Sequence, residues 1–166
     1  MEALETVELQ VAYLEQLYEW DQQVRHTVDE QIQTYGFNSP EHLQAAQDMV
    51  AVDNLNLAKI EAFFAAYGHP KLAIHGKSAC GIPWMIIHHA QRETAPRHRL
   101  FPVLYQAYVE GDIEGDDLAF YLNRMHQMYL GYRIQWEGAY RVEQELDTLF
   151  KALRLEEMVA EVDARF

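Results

Sequence analysis

Leu4, Val7, Val11, Leu14, Tyr18, Asp21, Arg25, Val28, Ile32 and Tyr35 recur at alternating steps of three and four. That spacing traces one face of a helix and predicts a long helix over residues 2–35. Every position in the stripe is apolar or Tyr except Asp21 and Arg25, which stand one turn apart in its middle. Because the stripe resumes at Val28, the two charges are read as buried. Single buried charges are costly, so they are expected to pair with each other or with a group across the core. The plainer alternative is a surface pair with the stripe rotating away, contributing a few tenths of a kcal/mol.

Gly36 ends this helix, and Ser39-Pro40-Glu41 opens the next with an N-cap Ser, a Pro at the first helical position and an acid in the first turn. The second helix runs to Tyr67, where Gly68 and Pro70 stop it. Asp53, Asn56, Ile60, Phe63 and Tyr67 share one of its faces, so two polar side chains point with the aromatics. A helix break near Asp53 would make that residue an ordinary N-cap, and the cap and site readings both stand.

Pro70 to Gly76 reads as a short connection containing His75, after which Ser78 opens a central helix over roughly 78–91. From Ile82 to Ile87 that helix carries no charge, so it is expected to be buried on nearly every side. Pro83 is expected to kink or restart it. It ends in His88 and His89, about 100° apart around the axis, so the two imidazoles cannot serve one point. One faces with Trp84 and the other with Met85 and Ile86. For at least one of them the ordinary role is that of a satisfied hydrogen-bonding core residue.

Arg92 to His98 is a polar connection, residues 99–110 form an amphipathic helix, and the acidic turn Asp112–Asp117 is expected to cap the helix after it. That helix sets Leu118, Leu122, Met125 and Tyr129 on one face and Phe120, Tyr121, Arg124 and Met128 on a neighbouring one. Arg124 therefore lies beside aromatics, unless its stem simply carries the charge out to water. Gly131 to Gly138 is a loop holding Gln135 and Trp136, and residues 139–166 are helical in pattern. No repeat and no alternating stretch long enough for a strand appears. The expected fold is all-α: a single-domain bundle of six or seven helices around the buried central one, spanning residues 1–166.

Composition narrows the partners. Asp and Glu number 26 against 13 Lys and Arg, for a net charge of -13. Such a surface repels phosphate backbones and anionic headgroups, so neither nucleic acid nor a membrane is an expected partner. No apolar run approaches the roughly 20 residues needed to span a bilayer. The opening Met-Glu-Ala-Leu-Glu lacks the basic and apolar regions of a signal peptide, and a cytoplasmic location is expected. Cys80 is the single cysteine, which leaves no internal disulfide and no multi-cysteine zinc pattern. The eight histidines show no His-Glu-x-x-His or comparable ligand spacing, so no metal site is expected. Gly76-Lys77-Ser78 imitates the end of a P-loop without its earlier glycine or preceding strand, and no cofactor is expected.

The polar interruptions also occur in a familiar order. Asp21…Arg25, Asp53-Asn54-Leu55-Asn56, Tyr67-Gly68-His69-Pro70, Gly76, Trp84, His89-Ala90, Arg124 and Gln135 follow one another along the chain. Over roughly residues 15–140 the sequence resembles a bacterial family catalogued only as a domain of unknown function. The family's pattern is D-x-x-x-R … D-x-x-N … Y-G-W-P … G … W-x-x-x-Q-H-A … D-R … Q-x-Y-G-T-Q. The resemblance implies a helical architecture and a shared polar cluster, and it implies no reaction. Several positions depart from the pattern: His88 replaces Gln, Asn123 replaces Asp, and His69 replaces Trp. The closing motif appears as Gln135-Trp136-Glu137-Gly138-Ala139-Tyr140, which keeps Gln and Gly but loses Tyr, Thr and the final Gln. Residues 141–166 then form a helical extension beyond the pattern.

Taken together, the interruptions supply two carboxylates, two guanidinium groups and an imidazole. Asp21, Arg25, Asp53, His89 and Arg124 are the candidate catalytic residues. A histidine titrates near neutrality, a carboxylate can orient it, and an arginine can hold an anion. Asn56, Trp84, His88, Gln135, Trp136 and Tyr140 are candidate substrate-binding residues. No nucleophile is apparent, because Cys80 has no visible activator and Ser78 is better read as a cap. The expected function is small-molecule binding, with general acid–base catalysis in a pocket of the bundle. The alternative is a non-catalytic interaction module in which the same cluster fixes helix register and the acidic surface meets a protein partner or a second copy.

Overall fold

The computed structural model describes residues 4–90, 94–135 and 141–166, with the side chains of 94–97 left aside. Its described residues form seven helices and no strand: α1 (Val7–Tyr35), α2 (Pro40–Tyr67), α3 (Leu72–His89), α4 (Thr94–Val109), α5 (Gly115–Leu130), α6 (Val142–Leu153) and α7 (Glu156–Asp163). The all-α bundle expected from the periodicity is present. Helix α3 packs against α1, α2, α4 and α5, while α6 lies on α5 and α7 reaches back to α4. Leu14 and Leu17 of α1, Ile60 and Phe63 of α2, Ile86 and Ile87 of α3, Phe101 and Leu104 of α4, and Leu118, Tyr121 and Leu122 of α5 form the centre of the core. Each such side chain contributes about 1.5–3 kcal/mol through burial, which is what closes the bundle. No helix is long and apolar enough to cross a membrane among the described residues.

Several boundaries differ from the sequence expectation, each for a local reason. Helix α1 begins at Val7 and not at residue 2, because the Thr6 hydroxyl caps it by accepting the Leu9 N–H at 3.3 Å. Helix α2 is unbroken through Asp53, so the N-cap reading of that residue fails. Helix α3 starts at Leu72, inside the expected connection, and turns at Gly76, whose backbone (φ 80, ψ 166) is open only to glycine. The break expected at Pro83 therefore falls at Gly76, while Pro83 keeps helical angles in a buried position. Ser78 lies beyond the joint, exposed and inside the helix, and is not its cap. Helix α4 already begins at Thr94, within the expected Arg92–His98 connection. The acidic turn also works differently from expectation. Glu114 occupies the N-cap of α5 without a side-chain cap bond, whereas Asp112 Oδ1 accepts the Leu72 N–H at 2.7 Å and so caps α3. The C-terminal segment splits at Arg154, which adopts left-handed angles (φ 57) and lets α7 fold back. There Tyr105 donates its hydroxyl to Asp163 Oδ1 at 3.0 Å.

Candidate functional site

Three helices deliver charge to one interior point. Asp21 and Arg25 project from the inner face of α1, Asp53 from the middle of α2, and His89 from the last turn of α3. Asp21 is 0% exposed and Asp53 1%. The side chains of Arg25 and His89 are 21% and 23% exposed, so the cluster meets solvent along that edge only.

The bonds within it are dense. Arg25 Nη2 donates to Asp21 Oδ1 at 2.9 Å and to Asp53 Oδ1 at 2.6 Å, while Nε donates to Asp21 Oδ2 at 3.2 Å. Its remaining nitrogen, Nη1, lies 3.1 Å from Met49 Sδ, and Gln22 Nε2 donates to Asp21 Oδ2 at 2.8 Å. His89 Nδ1 sits 2.9 and 3.0 Å from the two oxygens of Asp21. Arg25 Nε is also 3.2 Å from that nitrogen. A guanidinium can only donate, and a carboxylate can only accept. The arrangement that satisfies both puts a proton on Nδ1, donated to Asp21, so the Arg25–His89 approach is a contact and not a hydrogen bond. In the neutral ring Nε2 is then the acceptor, and it meets no partner among the described residues.

The electrostatics divide the two carboxyls. Burial by itself would push Asp21 up, but the hydrogen bonds from His89 and Arg25 outweigh it and hold Asp21 below its ordinary range. Burial also pushes Asp53 up, and there it prevails: Arg25 opposes it only in part and the nearby Asp21 charge reinforces it. Asp53 Oδ2 and the neighbouring Asn56 Oδ1 are both buried without a hydrogen-bond partner, although Asn56 Nδ2 donates to the Leu17 carbonyl at 3.3 Å. Among the described residues no group of three or more His, Cys, Asp or Glu side chains is placed to hold a metal ion. Between Asp21 and Asp53 the cationic position is filled by Arg25 itself.

The other expected site residues lie elsewhere. His88 stacks on Phe120 of α5, with ring centres 4.8 Å apart and planes 25° apart, and meets the edge of Trp84 at 6.3 Å. The Trp84 indole nitrogen is buried without a hydrogen-bond partner. A cavity of about 370 Å³ beside it, lined by Tyr18, Lys77, Met85, Asp112 and Asp117, includes none of the four clustered residues. Arg124 makes no bond to the cluster and donates through Nη1 to Gln127 Oε1 at 3.2 Å on its own helix. Gln135 is exposed on the rim of a shallow cavity shared with Tyr132 and Arg133. Trp136 and Tyr140 lie outside the described residues. Cys80 is buried, its thiol directed at the Pro70 carbonyl and pushed up to about 11 by burial, which removes it as a nucleophile at neutral pH.

Sequence reading missed Gln22, Met49, Phe120, Gln127 and Arg133. Met49 was within reach, since it lies one turn before Asp53 on the same face of α2. Gln127 was within reach as well, three residues after Arg124 on α5. The contacts of Phe120 with α3 and of Arg133 with Gln127 and Phe120, by contrast, depend on tertiary packing that no spacing announces.

No curated protein and no solved structure matches the chain. Residues 8–152 match a family described as a family of unknown function (DUF6624), a span that takes in all but the first residue of α1, the whole of α2 to α5 and all but the last residue of α6. The chain belongs to that family.

Proposed function

We propose that the protein binds a small polar molecule at the solvent edge of the four-residue cluster and that His89 acts there as a general base. The observation that carries this reading is the placement of His89 Nδ1 within 3.0 Å of both oxygens of the fully buried Asp21. A carboxylate so placed fixes the tautomer and orientation of the ring and stabilises the imidazolium formed when Nε2 takes a proton. Arg25 balances the Asp21 charge and holds both carboxylates in register. It is a positioning residue, since its bonds are directed inward. The reaction class is proton removal from a bound molecule or from water beside it.

A second reading has its own support: nearly every strong bond of Arg25 and Asp21 is satisfied within the protein, as in a purely structural ion network. A thermal-shift screen of the whole chain against a metabolite collection separates the two. The catalytic reading expects at least one compound to raise the wild-type Tm and to lose that effect in His89→Gln, while the ligand-free Tm of the variant stays close to wild type. A His89→Gln chain that loses several kcal/mol of stability, with no compound discriminating it from wild type, would leave only the structural network.

A further inference from the structure

Away from the ion cluster, two guanidinium groups converge on a single neutral oxygen. Gln127 Oε1 accepts from Arg124 Nη1 at 3.2 Å and from Arg133 Nε at 3.0 Å, so the two donor nitrogens lie within about 6 Å of each other. Among the described residues neither arginine has a carboxylate partner, and the arginines in ion pairs are Arg25 and Arg99. This is unexpected on a chain whose acidic residues outnumber its basic ones 26 to 13. Like charges held this close repel, and an amide oxygen neutralises neither.

The arrangement is also held in place. Residue 133 sits between two anchored neighbours: the Tyr132 carbonyl accepts from His126 Nδ1 at 2.8 Å, and the Ile134 N–H donates to Asn123 Oδ1 at 3.1 Å. Asn123 is in turn hydrogen-bonded to the buried Glu145 of α6. The Arg133 guanidinium stands over the Phe120 ring, 5.6 Å from its centre. Gln127 uses one N–H of each guanidinium, and the rest meet no acceptor among the described residues.

We propose that Arg124 and Arg133 form a binding site for the phosphate group of a phosphorylated small molecule. A phosphomonoester carries about -1.5 to -2 charges near neutral pH, which matches two fixed cations, and its oxygens suit the planar fork of each guanidinium. A single carboxylate would leave one of the cations unbalanced. From this pair a line of rings leads toward the proposed base: Arg133 to Phe120 at 5.6 Å, Phe120 to His88 at 4.8 Å, and His88 to His89 at 5.5 Å. The phosphate site stands on the arginine geometry alone. Its assignment to the substrate of His89 rests on the function proposed above.

The test is a titration of the full chain with inorganic phosphate at pH 7.5, at constant ionic strength maintained with sodium chloride, followed by calorimetry and thermal shift. Saturable binding is expected in wild type, with acetate at least tenfold weaker. Arg133→Gln and Arg124→Gln should each weaken phosphate binding tenfold or more, and His89→Gln should leave it unchanged. Because Arg133 is exposed, its variant is expected to keep the wild-type Tm without phosphate, so lost binding there is not lost folding. A phosphate effect no larger than that of chloride, or undiminished in both arginine variants, overturns the site, as does acetate binding as tightly as phosphate. Loss of phosphate binding with a His89-dependent ligand response intact would remove this site alone. Phosphate binding as expected with no His89-dependent ligand would remove the general-base reading and the link between the two.

Discussion

His69 lies in the link between α2 and α3, and its burial gives a measurable pH dependence. The ring is 6% exposed, Nδ1 donates to the Pro70 carbonyl at 2.8 Å, and Nε2 is buried without a partner. Burial pushes the imidazole from 6.5 down to about 4, with the Pro70 hydrogen bond resisting. The native state therefore holds this ring neutral over a range in which the unfolded chain takes up a proton. Stability rises with pH wherever the unfolded state binds more protons, so the contribution of His69 is fully present above 6.5 and is lost as pH falls toward 4. At pH 5.5 the unfolded ring is about nine-tenths protonated and the folded ring hardly at all, which amounts to a loss of about 1.4 kcal/mol relative to pH 8. Other groups titrate as well, so the informative quantity is the difference between wild type and His69→Phe. The variant keeps a planar ring beside Phe64, whose centre lies 5.7 Å from that of His69. Losing the Pro70 bond adds only a constant offset. Urea unfolding at pH 8, 7, 6.5, 6 and 5.5 stays above the sequence pI of about 4.9. The stability of wild type relative to the variant should fall by about 1.4 kcal/mol across the series. A difference that does not change with pH would show that the His69 ring is not held neutral by burial, and the reasoning would fail.

Two further outcomes follow from the geometry. Arg25→Met strands the carboxylates of Asp21 and Asp53, both essentially unexposed, and is expected to cost about 3–5 kcal/mol in urea unfolding at pH 7.5. Adding Asp53→Asn should recover part of that, and the loss in Arg25→Met should shrink as acid protonates the stranded groups; a loss under about 1 kcal/mol would contradict a buried ion network. At the joint of α3, Gly76→Ala is expected to destabilise by about 1–3 kcal/mol from backbone strain alone, because an added Cβ meets no atom within 4 Å. Gly81→Ala, in ordinary helical backbone, should be neutral or stabilising by up to about 1 kcal/mol. Equal effects of the two glycine variants, measured in the same unfolding assay, would show that the positive φ at Gly76 carries no cost.

Helical periodicity is a property of neighbours along the chain, and it was enough to predict the bundle, the long α1, the full extent of α2 and the largely buried stretch of α3 from Ile82 to Ile87. It also singled out Asp21, Arg25, Asp53 and His89, because a charged or polar side chain on an apolar stripe is visible without knowing what lies opposite. Sequence alone did not reveal which of these would meet. Arg124 interrupts its face of α5 as Asp53 does on α2, yet it turns to Gln127 and Arg133 and stays apart from the cluster. The bend at Gly76, the service of Asp112 as a cap for α3, and the reversal at Arg154 were equally hidden, since each depends on a contact or backbone angle that similar sequence patterns leave open. Only the tertiary structure decided that the end of α3 comes to rest against the middle of α1. That packing delivers the His89 ring to a carboxylate 68 positions earlier in the chain, and with it the Nδ1–Asp21 contact on which the proposed function stands. A stripe of residues specifies a face, whereas a site requires that several faces be brought to one point, and the core packing of the whole bundle sets where that point lies.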